Sequence, residues 1–139
     1  MARQIKRPPP KAGGKINPPV VAAVTSKDGE PPVFCLRHVA AGWGVADCER
    51  DARAAFAMTL EKLAKLTWQQ IKGAPRHGVG TEQIDSGSIR ARVPASITED
   101  VQFLAFRFSG KKPMVGFRAA ASAVFHIVWL DRDFTLYDH

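Results

Sequence analysis

The chain has 139 residues, 45% of them hydrophobic, a formal net charge of +7 and a pI near 9.9. That length suits one domain with a real core and leaves no room for a second of ordinary size. The positive balance favours an acidic partner, nucleic acid or an acidic protein surface. Two cysteines and the lack of any apolar run long enough for a membrane span or a secretory leader predict a cytoplasmic protein without membrane contact.

Residues 1–32 carry seven of the ten prolines, together with Gly13, Gly14 and scattered lysines. Six basic residues (Arg3, Lys6, Arg7, Lys11, Lys15, Lys27) face only Asp28 and Glu30, which places +4 of the +7 there. Prolines after the basic start forbid the apolar helix of a leader, so residues 1–32 are predicted to be a disordered basic tail. The apolar stretch Pro19 to Val24 within it would suit a strand or a partner's groove, but a linker explains it as well.

Val33 to Val39 is β-rich and reads as a first strand, ended by Gly42 and Gly44. Asp47 is placed to cap a helix in which Ala52, Phe56, Leu60, Leu63 and Leu66 recur at three- and four-residue steps. Thr67 can cap a second, shorter helix through Trp68 and Ile71, closed by Gly73 and Pro75, and the two make a helical hairpin. Arg76 to Ser88 reads as a polar surface loop. Strands follow at Val101–Phe108, Met114–Arg118 and Val124–Leu130, with a turn over Ser109–Pro113 and a further short piece at Phe134–Tyr137. The expected fold is α+β: an N-terminal strand and helical hairpin packed on a C-terminal antiparallel meander, residues 33–139 forming one domain.

The closing segments Val115-Gly116-Phe117-Arg118, Val124 to Arg132, and Leu136-Tyr137 resemble the C-terminal half of RelE-like toxins of bacterial toxin–antitoxin systems. The resemblance covers about the last forty residues in pattern and the hairpin in element order. It implies a RelE-like fold, a cognate antitoxin or adaptor as partner, and, for the RNA-cleaving members, a metal-independent endoribonuclease using clustered cations and a tyrosine. Arg118 and Tyr137 match those positions, Arg132 is compatible, and Lys65 and Lys72 are loose counterparts of the family's lysines. No cofactor is implied.

Gln102-Phe103-Leu104-Ala105-Phe106 fits the Gln-x-Leu-x-Phe pattern with which bacterial proteins dock on the DNA polymerase sliding clamp. Its glutamine amide would hydrogen-bond at a pocket rim while leucine and phenylalanine fill apolar subsites. Together with the family resemblance, this motif implies a toxin that arrests replication by occupying the clamp, possible nucleic-acid contact following from the charge. The same alternation would equally line one face of a sheet, and docking then needs an edge strand or local opening. A DNA-associated accessory protein is the third alternative.

Other residues carry less. His126 sits in an apolar strand and is expected to be a hydrogen-bonded residue of the opposite sheet face, and His139 a frayed terminus. Cys35, His38, Cys48 and His77 lack paired zinc spacing, so no metal site is predicted and both cysteines are assigned to the core. Lys62, Lys65 and Lys72 would form a basic strip along the hairpin.

Overall fold

The computed structural model describes residues 26–75, 78–98 and 100–138. The bulk of the predicted tail, the Pro19–Val24 stretch, His77 and His139 lie outside them. Five strands form one mixed sheet: β1 (Val33–Cys35), β2 (Glu82–Ile84), β3 (Phe103–Ser109), β4 (Lys112–Arg118) and β5 (Val124–Leu130), in the spatial order β1-β5-β4-β3-β2. Two helices, α1 (Arg50–Leu63) and α2 (Trp68–Lys72), complete an α+β arrangement.

The helical stripe folds as its spacing dictates. Ala52, Phe56 and Leu63 of α1 are buried, and Trp68 and Ile71 of α2 join them against Phe106, Phe108, Met114, Phe125 and Ile127 of the sheet. Each fully buried Phe, Leu or Ile contributes roughly 1.5–3 kcal/mol relative to exposure. Thr67 caps α2 as its sequence predicts, Oγ1 accepting from Gln70 N at 3.2 Å, and the structure adds the reciprocal bond in which Gln70 Oε1 accepts from Thr67 N at 2.9 Å. Asp47 does not cap α1. Its carboxylate accepts from Gly44 N at 3.0 Å and stabilises a 3-10 turn at Val45–Asp47, leaving Glu49 at the N-cap of α1 without a side-chain bond.

β3, β4 and β5 are the predicted meander, and β5 has the predicted bounds. Gly116, opposite a bulge in β5, has no substitute. A Cβ there would stand 2.0 Å from the carbonyl oxygen of His126.

Four expectations are corrected. The first strand stops at Cys35, where a turn closed by the 3.3 Å bond from Val39 N to Leu36 O leads the chain away. It pairs with β5 in parallel, so the sheet is mixed, with only β2 to β5 forming its antiparallel part. The predicted loop of residues 76–88 contains β2, which adds to β3. Phe134–Tyr137 is not a strand: the buried Asp131 accepts from Thr135 N at 2.9 Å and Leu136 N at 3.1 Å, folding the end into a turn with Phe134 at φ 58°.

The assigned tail also loses its last residues to the domain. Asp28 and Glu30 carbonyls accept from Gln69 N at 2.8 Å and Trp68 N at 3.0 Å, so this stretch caps the start of α2.

The sheet is covered on both faces. Opposite the helices, Ile84, Phe103, Ala105, Val115, Phe117, Trp129, Leu136 and Tyr137 form a second cluster, closed over by Ala40, Trp43, Ile89, Ile97 and Val101. Bonds from Ala40 N to Val128 O, Leu130 N to Trp43 O and Arg90 N to Leu136 O, each 2.8 Å, hold this cover in place.

Candidate functional site

Phe103–Phe106 form the start of β3, with Gln102 just before it; β3 is an interior strand with β4 on one side and β2 on the other. Leu104 and Phe106 do share a face, as alternation predicts, but it is the face under the helices. Phe106 is 1% exposed, its ring 6.2 Å from Trp68 and 5.1 Å from Phe125. Phe103 and Ala105 are buried in the second cluster, and Leu104 is half-buried. Gln102 is exposed, yet its Nε2 donates to Ile84 O at 3.1 Å and Phe103 O at 3.2 Å, fastening β2 to β3. In the closed fold the pentapeptide is therefore core and seam.

The cations assigned to RNA cleavage do not converge on one point. Arg118 lies on the helical side, its guanidinium carbon 4.3 Å over the Trp68 ring and its Nη2 2.8 Å from Asp28 Oδ1. Lys72 Nζ meets the other oxygen of Asp28 at 2.7 Å. Lys72 and then Arg118, each hydrogen-bonded to this carboxyl, hold its pKa down to about 2. Tyr137 belongs to the cluster on the opposite face of the sheet. Arg132 donates to Gly42 O at 3.0 Å, and Lys65 is exposed beyond the end of α1. Arg118 and Lys72 are thus brought together, but around a carboxylate that occupies them; Tyr137, Arg132 and Lys65 stand elsewhere.

A group missed from the sequence lies on the second face. His126 stacks on Phe117 with centroids 4.7 Å apart, and its ring is 5.2 Å from that of His38. His38 Nδ1 shares a 2.8 Å hydrogen bond with Ser96 Oγ. These side chains line a cavity of about 220 Å³. His126 faces away from the helices as expected, but its Nδ1 is buried without a hydrogen-bond partner among the described residues. Burial first, then the neighbouring His38 and Arg37, push its pKa below the ordinary histidine value. Residues 38, 96 and 126 come from three distant segments, so no spacing rule could unite them. Cys48 packs with the helices, away from this pair, and among the described residues no set of three or more His, Cys, Asp or Glu side chains is arranged to hold a metal.

No protein-family model matches the chain, and no curated protein and no solved structure matches it either. Among the described residues no helix is long and apolar enough to cross a membrane.

Proposed function

We propose that this chain acts by binding, as a RelE-like toxin that arrests replication by occupying the DNA polymerase sliding clamp through Gln102, Leu104 and Phe106. The observation that carries the reading is the Gln-x-Leu-x-Phe spacing in a strand whose outer neighbour, β2, is only three residues long. A meander preceded by a helical hairpin and the positive net charge support it.

Docking with Phe106 inserted into a partner requires an open state in which β3 leaves the helices. Exposing the fully buried Phe106 costs roughly 1.5–3 kcal/mol, the half-buried Leu104 adds less, and burial in the partner's subsites returns at least as much. Every 1.4 kcal/mol of opening weakens the apparent affinity about tenfold. The interaction is accordingly slow to form and sensitive to the stability of β3.

Calorimetry of the purified protein with a bacterial sliding clamp, beside Gln102→Ala, tests this. Gln102→Ala removes the bond to Ile84 O and so favours opening, while it deletes the polar contact of the peptide. Weaker binding by this variant is therefore a signature of direct contact. Absence of binding by the folded wild-type chain sinks the reading.

An endoribonuclease needs its cations and tyrosine at one phosphate. The separation of Arg118 and Tyr137 by the sheet gives that alternative no geometric support.

A further inference from the structure

On the face away from the helices, β4, β5 and two loop segments enclose the cavity of about 220 Å³ whose polar lining is His38, Ser96, Thr98 and His126. Ile97, Val101 and the Phe117 ring supply its apolar wall. Nδ1 of His126 is buried with no hydrogen-bond partner among the described residues. A buried polar atom left unmet costs stability unless something bound beside it meets it. Ser96 and Thr98 are exposed, so the cavity reaches solvent. None of the described lining residues is acidic, and Asp100 of the same loop lines a neighbouring cavity instead. The charged groups that act on His126 are His38 and Arg37, both cationic when protonated.

We infer that this cavity binds a small organic carboxylate, with its charged head on His126 and its apolar body against Phe117, Ile97 and Val101. The Nδ1–H of His126 donates to one carboxylate oxygen, and the Thr98 hydroxyl at the mouth donates to the other. Ser96 Oγ holds His38 Nδ1 at 2.8 Å and so keeps that ring 5.2 Å from His126, where its protonated form adds to the attraction. An anion seated here offsets the burial and the like charges that disfavour the imidazolium of His126. Pockets for drug-sized ligands run to about 300–1,000 Å³, so this smaller one suits a single ring or a short chain. A transition-metal ion fits less well: among the described residues no third ligand joins the two histidines, and Arg37 opposes a cation. The inference does not depend on clamp binding, since no lining residue belongs to Gln102–Phe106.

The test titrates the full chain with phenylacetate and follows the histidine ring signals by NMR, beside neutral phenylacetamide and inorganic phosphate. Expected are saturable shifts at His38 and His126, a dissociation constant below about 1 mM, and binding of phenylacetamide at least about tenfold weaker. Phosphate, which has no apolar body, should not compete. His126→Phe keeps a ring against Phe117 and should lose the carboxylate preference. Thr98 is exposed, so Thr98→Val keeps the fold and should weaken phenylacetate about tenfold even where His126→Phe disturbs folding. Equal binding of phenylacetamide, full affinity in Thr98→Val, or shifts confined to His77 and His139 would each overturn the inference. Competition by phosphate would overturn it in favour of a simple anion site, and no ring shift at about 1 mM phenylacetate would leave the cavity to water.

Discussion

At the scale of single residues, the most demanding position is Gly116. Its α-carbon faces the backbone of His126 so closely that any side chain must push β4 and β5 apart. Gly116→Ala is expected to destabilise the fold by about 2–4 kcal/mol, read from chemical denaturation. His126 sets a different dependence. Its folded pKa lies below the unfolded value, so in acid the unfolded chain binds more protons and stability falls as pH drops through about 6.5, levelling once the folded group is also charged. His126→Phe keeps an aromatic ring against Phe117 but cannot titrate. The melting temperature of that variant should change less between pH 8 and pH 5 than that of the wild type, and an unchanged pH dependence would assign the effect to other groups. Asp28 acts far lower: its pairing with Lys72 and Arg118 stabilises the fold above the ordinary carboxylate range and is lost only as pH falls toward 2.

At the scale of elements, β2 controls access to β3. Ile84 is 3% exposed and packs in the second cluster, while its carbonyl receives Gln102 Nε2. Ile84→Ala removes that packing without touching the peptide side chains and should cost about 2–4 kcal/mol of stability. If clamp docking requires β3 to open, the same variant should bind the clamp more tightly at a temperature where it remains folded; weaker or unchanged binding in calorimetry would show that opening is not the controlling step. By contrast Phe106→Ala is a poor control, because it also empties a core site between Trp68 and Phe125. Elements whose signals are local were legible in the sequence: α2 through its Thr67 cap, the stripe of α1, and β5 to the residue. β2 was not, since three residues among polar neighbours carry no period of their own. Nor was the parallel seating of β1, whose Val33 meets Val124 across ninety residues of chain. The Gln102–Phe106 pattern was legible as a pattern. Its alternation also allowed one sheet face for Leu104 and Phe106, which is where they lie; the burial of Phe103 and Ala105 was not legible, because the second face is closed by segments around Ala40 and Ile97 that lack any strand or helix period.

At the scale of the molecule, charge is unevenly placed, and this bears on how any acidic partner is met. Residues 1–25 hold Arg3, Lys6, Arg7, Lys11 and Lys15 with no acid, so they supply +5 of the formal +7. The remainder, at +2, keeps several of its cations occupied: Arg118 and Lys72 by Asp28, Lys27 by Glu30 at 3.3 Å. Long-range attraction toward an anionic surface therefore rests mainly on residues 1–25, whereas recognition by β3 rests on short-range contacts. These two contributions respond differently to salt, because the Debye length shrinks from about 30 Å at 0.01 M to about 8 Å at 0.15 M. Removing residues 1–25 should lower the association rate with an acidic partner at low ionic strength by roughly tenfold or more, with little change in the dissociation rate. Raising the salt to 0.15 M should bring the two chains' association rates together. Stopped-flow or surface-plasmon measurements at both ionic strengths check this, and a truncated chain that instead dissociates faster would place part of the recognition surface within residues 1–25.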